Sequence, residues 1–395
     1  MTMNPELVAV LHALPPYEDH EAAAPMLPKQ CYTSPTFFDF ERDAVFARNW
    51  VCVGRADQLV KPGDAFSFSV AGEPLIVARG KTDIHAMGAV CQHRGHVLSC
   101  GDDNPQGLLR CPLHYWTYDI EGRLIGAPAH GRCAGAAPRR GPPAARAQRY
   151  LAWLCLRQSQ RRRAAAGAEP RQGGDLLGGL PRKRDGDRPA GPGDNAPAVE
   201  LEDPARKFHR RLSPEFVHRG THDFAPSVLG SGGVEFTPMA EGDNAIVRHV
   251  PMRLPNGGMM RDGWGAEAMF PAMTRLSDWR RNWLSFVMVP PNLQLMFASG
   301  AVSYTLLVPG GAEATYASSD RVTGGGWILP RSTVALADFA ERAAAVRQGA
   351  GKIWAQDVPV NNAMQAGKRS RFMPDGIYGA LETTLVQFNA WLLRA

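Results

Sequence analysis

Apolar and small polar residues alternate from Ala65 to Val70 (AFSFSV), turn at Ala71-Gly72, and resume as PLIVAR up to Arg79. Period-two alternation broken by a Gly-containing turn predicts a β-hairpin. Trp50 to Gly54 predicts a short strand before it and Ile84 to Val90 another after it. Tyr115 to Ile125 predicts a second hairpin, turning at Glu121-Gly122. Upstream, FFDFERDAVFARNW (Phe37 to Trp50) spaces its apolar residues as a helix does. Residues 1 to 35 are rich in Pro and Ala and read as an arm over the surface. Downstream, Val234 to Val250 and Trp283 to Leu307 alternate as strands. Pro290-Pro291 interrupts the second, which makes it two strands or an edge. Ala314 to Ile328 offers one more strand. Val334 to Ala363 reads as helix with a break at Gly349-Ala-Gly351, and Leu381 to Leu393 as an amphipathic terminal helix. The fold class is α+β: a small antiparallel β-domain presenting two loops, then an antiparallel sheet covered by helices.

Length sets the number of such units. At 395 residues the chain is long enough for two or three domains with ample core. No run of eighteen apolar residues occurs, and Met1 to Pro16 lacks a basic stretch followed by an apolar one. The expectation is therefore no membrane span, no secretory leader and a cytoplasmic location. Seven cysteines without framework spacing fit a reducing compartment. The net charge of +6 suggests nucleic acid until its distribution is considered. Residues 131 to 212 hold 18 Lys/Arg against 8 Asp/Glu, while the rest of the chain holds 26 against 30. The basic character belongs to one segment, and no nucleic-acid face is expected.

The chemistry concentrates in Cys91-Gln-His93-Arg-Gly-His96 and Arg110-Cys111-Pro-Leu-His114-Tyr-Trp116. Each stretch offers one thiolate and one imidazole. Two Cys and two His can hold a [2Fe–2S] cluster, the Cys on one iron and the His on the other. Neutral imidazoles in place of thiolates raise its reduction potential. A structural zinc also uses four such ligands, but zinc modules repeat C-x2-C or H-x3-H pairs, and C-x-H matches them poorly. His96 and Cys100 read as loop or core residues.

With the flanking Trp116-Thr-Tyr-Asp and Gly122-Arg-Leu-Ile-Gly126, these stretches resemble the Rieske domain of ring-hydroxylating oxygenase large (alpha) subunits. The resemblance implies a [2Fe–2S] Rieske cluster on Cys91, His93, Cys111 and His114. It also implies a mononuclear Fe(II) held by two His and a carboxylate, with positions left open for O2 and substrate. Glu215-Phe-Val-His218-Arg-Gly-Thr-His222-Asp223 is similar to the family's His-bearing stretch. It departs from that pattern in placing three residues rather than four between His218 and His222, and Val217 stands where the first ligand would fall. The late carboxylate is implied at Asp357, followed by Gln365 and Gly367, with Asp338 and Asp223 as competitors. Glu215 is implied as the acid bridging a cluster His to an iron His across a subunit boundary.

The implied domains are an arm over 1–40, a Rieske domain over 41–150 and a catalytic domain over 213–395, with an Arg/Ala/Gly/Pro-rich segment over 131–212. The implied activity is that of a terminal oxygenase inserting oxygen into an aromatic or related small organic substrate. A ferredoxin or flavin reductase would supply electrons. The assembly would be a homotrimer or include a small subunit. Apolar residues from Met259 to Phe297, including Trp264, Phe270, Trp283 and Phe286, suit either a pocket or the core.

Residues 131 to 212 read either as a basic linker or as a gene translated one base out of frame. A one-base shift forces Tyr150 to Thr or Ile, Trp153 to Gly and Cys155 to Val or Ala. It permits T-W-L-G-F-V-F-V-N from Tyr150, N-W-K at Glu200 to Glu202 and G-V-P-G at Arg132 to Gly135, all phrases that resemble the family. Two further functions stay open on these grounds: an electron carrier with the cluster alone, and an inactive product of a frameshifted gene.

Overall fold

In a computed structural model, the described residues are 4–17, 23–98, 107–128, 148–151, 154–158, 225, 233–240, 242–252, 270–312, 314–317 and 326–395. They fall into two compact units, Phe46–Ala164 and the remainder.

The chain starts with helix α1 (Pro5–His12), the two-residue strand β1 (Ala24–Pro25), and helices α2 (Gln30–Thr33) and α3 (Pro35–Glu41). Ser34 caps α3 by accepting from the Phe37 N–H, and Pro35 takes the first helical turn, where its missing N–H costs nothing. The helix predicted over Phe37 to Trp50 is shorter, passing into a π-helical turn over Arg42–Phe46 before strand begins at Trp50. The predicted arm builds core of its own. Val10, Leu27, Cys31, Tyr32 and Phe37 are buried together, with Leu392 from the far end of the chain packed against them.

The Phe46–Ala164 unit is made of short antiparallel sheets. Strand β2 (Trp50–Arg55) is followed by the predicted hairpin, β3 (Ala65–Val70) and β4 (Glu73–Arg79), and β5 (Ile84–Gly88) pairs on β4. Its turn bears Ala71 and Gly72 at φ of 48° and 86°, left-handed as the tight reversal requires. A second sheet joins β6 (Leu108–Arg110), β7 (Thr117–Asp119) and β8 (Leu124–Gly126). Asp119 holds the β7–β8 turn by accepting from the N–H groups of Glu121 and Arg123. Strands β9 (Gln148–Leu151) and β10 (Leu154–Gln158) lie within the segment whose reading frame is in question, β10 pairing with β2 and β9 with β10.

The other unit is built on one antiparallel sheet. Its strands are β11 (Glu235–Phe236), β12 (Ile246–Pro251), β13 (Trp283–Val289), β14 (Leu293–Phe297), β15 (Val302–Gly311) and β16 (Ala314–Ala317), in that order. Strand β17 (Gly326–Ile328) also pairs with β15, and the short helix α4 (Asp278–Asn282) leads into β13. Pro290-Pro291 forms the turn between β13 and β14, so the interrupted alternation is two strands. Helix α5 (Arg331–Val334), the long helix α6 (Phe339–Arg369), strand β18 (Ile377–Tyr378) on β1, and α7 (Thr383–Arg394) complete the chain. The break predicted at Gly349-Ala-Gly351 does not occur: α6 runs unbroken through both glycines and through Pro359. Packing of its buried face outweighs the glycine penalty of about 1 kcal/mol each. Among the described residues no helix is long and apolar enough to cross a membrane.

Candidate metal centres

The two Cys/His stretches form a matched pair of loops. In the first, the Cys91 N–H donates to the His96 carbonyl (2.8 Å) and the Gly95 N–H to the Cys91 carbonyl (3.0 Å). In the second, the Cys111 N–H donates to the Trp116 carbonyl (2.8 Å) and the Tyr115 N–H to the Cys111 carbonyl (2.9 Å). The residue four after each Cys is left-handed, Gly95 at φ 76° and Tyr115 at φ 57°. Glycine adopts that conformation freely and tyrosine at a cost of roughly 1–2 kcal/mol. Each loop thus bends back and brings its cysteine inward. Cys91 and Cys111 are buried and free.

The imidazoles meet across the loops. The His93 and His114 ring centroids lie 4.7 Å apart, edge to face, and His93 stacks on buried Trp116 at 4.9 Å. His114 Nδ1 is buried and makes no hydrogen bond. A buried ring nitrogen in that state fits one reserved for a metal. Tyr118 lies below, its hydroxyl 3.3 Å from Cys91 Sγ and accepting from the Gln92 N–H at 2.9 Å. A thiolate has no proton to give, so with a cluster bound the phenol is the donor to sulfur. Burial, then the contact with Cys91, pushes the Tyr118 phenol above its ordinary range, so it keeps that proton. Two buried thiols, two opposed imidazoles and one unbonded ring nitrogen suit a [2Fe–2S] cluster with mixed Cys/His ligation. His96 lies apart from this set: it is exposed, with Nδ1 at 2.7 Å from the Val97 carbonyl.

Glu215, His218, His222 and Asp223 lie outside the described residues, as do Trp264 and Cys100. Ala225, three residues past His222, is buried against Val250, Leu284, Phe286 and Ala298 on the large sheet. Asp357 lies on α6, half-buried, with its Oδ1 fully covered. Its competitor Asp338 sits at the N-terminus of that helix in an exposed ion pair with Arg342 at 2.8 Å. Phe270 is core, packed with Ala301, Leu329, Ala343 and Val346. Trp283 stacks on Trp279 at 5.4 Å, and Phe286 lies under the guanidinium of buried Arg248 at 4.4 Å. Burial pushes that guanidinium down to about 9. Sequence reading missed Tyr118, although its place in a half-buried alternating strand could have marked it as inward-facing. It also missed Asn361 and Lys368 on α6, which share the buried face of Ala343 by helical spacing but whose polar side chains read as solvent-facing.

Two family models match the chain. Residues 49–139 match the Rieske [2Fe-2S] domain model, and residues 215–395 match the catalytic domain of the ring hydroxylating alpha subunit. The chain belongs to the alpha subunits of the Rieske oxygenases, a family whose cofactors are a Rieske cluster and a mononuclear iron. The carnitine monooxygenase oxygenase subunit of Acinetobacter baumannii is 39% identical over 98 residues, 25% of this chain. Chloroplastic choline monooxygenase of Amaranthus tricolor is 30% identical over 127 residues, 32% of this chain. The aligned segments span only 26% and 28% of those two relatives. Among solved structures, an inhibitor complex of a quaternary ammonium Rieske monooxygenase superposes with TM-score 0.69 at 18% identity, over 96% of this chain and 99% of that one. Naphthalene 1,2-dioxygenase from Rhodococcus sp. does so with TM-score 0.69 at 16% identity, over 99% and 98%. At these identities the superpositions establish the fold alone.

Proposed function

We propose that the chain is the terminal component of a Rieske-type mono- or dioxygenase, acting on a small organic substrate with O2. The observation that carries this is the opposed His93 and His114 beside two buried thiols, in a chain that also matches the catalytic domain. Cys91, Cys111, His93 and His114 hold the cluster; His218, His222 and Asp357 hold the iron. When bound, the cluster relays single electrons and the iron activates O2 at its open positions. Tyr118 keeps its proton beside the sulfur of Cys91, and Trp116 covers one face of His93. Glu215 links a cluster imidazole to an iron imidazole of a neighbouring subunit. The domains run over 41–150 and 213–395, with the arm over 1–40 and the basic segment over 131–212 between the catalytic parts.

A ferredoxin or flavin reductase supplies the electrons, and the chain assembles with copies of itself or with a small subunit, in the cytoplasm. The substrate is an aromatic compound or a quaternary ammonium compound. The second class is supported by the names of the relatives, carnitine, choline and glycine betaine monooxygenases, and the first by anthranilate 1,2-dioxygenase. Iron and acid-labile sulfide per chain test the proposal. About three irons and two sulfides are expected, the third iron lost on chelation with the cluster absorption unchanged. About two irons would leave an electron carrier. That second reading has one observation in its favour: the family models leave 140–214 unmatched between them, the stretch whose frame is in doubt.

A further inference from the structure

The buried face of α6 changes chemistry along its length. Ala343 and Val346 lie in an apolar cluster with Phe270 and Leu329. At about 100° per residue, Asp357, Asn361, Gln365 and Lys368 fall within about 40° of the direction of Ala343. The same face is therefore apolar in its first half and polar in its second. The N-terminal arm accounts for two of these groups. Gln365 Nε2 donates to the Tyr32 carbonyl at 2.9 Å, and Lys368 Nζ lies 3.4 Å from the centre of the Tyr32 ring.

Asn361 is different. It is 0% exposed, yet neither its Oδ1 nor its Nδ2 makes a hydrogen bond. A buried amide left this way forfeits its hydration at both atoms with nothing in return. Where a native protein keeps such a group, a water, ion or ligand completes it. Asp357 is one helical turn away on the same face, near enough for side chains at i and i+4 to meet.

We infer that Asn361 is a positioning residue of the mononuclear iron centre, its Nδ2 donating to the Asp357 carboxylate in the metal-loaded protein. The bond holds the carboxylate in one orientation and leaves Oδ1 to accept from a water. It rests on Asp357 as the iron's carboxylate ligand.

The test uses the full chain with its cluster intact, stripped of mononuclear iron and titrated anaerobically with Fe(II), and with Co(II) as an optical probe. Asn361→Leu, nearly isosteric, should weaken binding of both metals by about 10–100-fold, the usual loss when a ligand's supporting hydrogen bond is removed. The melting temperature of the stripped variant should stay level or rise, because no hydrogen bond is lost from the metal-free fold. Asn361→Ser, which keeps a short donor, should fall between and serves if the Leu variant does not fold. Wild-type metal affinity in these variants would overturn the inference, and a lowered melting temperature alongside it would assign Asn361 to the fold alone. Asp357→Ala separates the two levels. If it still binds the third iron, the ligand assignment fails; if it loses that iron while Asn361→Leu binds normally, only the role of Asn361 fails.

Discussion

Tyr118 illustrates how much one side chain can settle. Its hydroxyl reaches Cys91 Sγ from a strand, 27 residues along the chain. A donor aimed at a cluster sulfur favours the reduced, more negative state. Tyr118→Phe should therefore lower the reduction potential by roughly 40 mV, the one-electron equivalent of about 1 kcal/mol for one hydrogen bond. Redox titration followed by the cluster's absorption reads this directly, and an unchanged potential would remove Tyr118 from the site. The two Cys/His pairs were legible as a candidate site because Cys and His at these spacings are scarce outside metal sites. Tyr118 was not, because a tyrosine in a half-buried strand has many reasons to be there.

Helix α6 shows why local signals misjudge a long element. Two glycines close together predicted a break, yet a Cβ built at Gly349 or Gly351 meets nothing within 4 Å. Neither glycine is there for close packing. Gly349→Ala and Gly351→Ala should each stabilise the chain by about 0.5–1 kcal/mol, seen as a higher urea midpoint at unchanged slope. The far end of the helix carries a different load. Lys368 is 5% exposed, and burial pushes its ammonium down to about 7, against the Tyr32 ring, which favours the charged form. An ordinary lysine titrates near 10.4 when unfolded. Between about pH 7 and that value the unfolded chain binds the extra proton, so this group adds stability as pH rises, at up to about 1.4 kcal/mol per unit. Lys368→Met should flatten that rise and stabilise the chain below pH 7, where the buried charge is fully present. Chemical denaturation at a series of pH values checks both.

For the whole molecule the open question is whether residues 131 to 212 are read in the right frame. Strands β9 and β10 lie in that stretch, β10 pairing with β2 and β9 with β10, where the shifted frame also places a strand. Peptide mapping of the purified protein across 125–225 distinguishes the two. Peptides spelled T-W-L-G and N-W-K, with four residues between the two His, would be the product of a shifted frame and should accompany about three irons per chain. Peptides as written, with about two irons, would leave a cluster protein lacking its second centre. Resequencing codons 125 to 225 gives the same answer from the gene.

What the residues determined by themselves is local. The alternation in Ala65 to Val70, the turn at Ala71-Gly72, the strands on either side of Pro290-Pro291 and the two Cys/His pairs all depend on neighbours within a few positions. Spacing alone therefore carries them. Tertiary structure decided the rest. It opposed His93 to His114, set Tyr118 against Cys91, joined β1 to β18, and laid the arm's Tyr32 over a helix more than three hundred residues away. It also buried Asn361 without a hydrogen bond on the face that carries Asp357. Such contacts depend on how separate segments pack, and a residue's burial is fixed by partners that its own neighbours in the chain do not name.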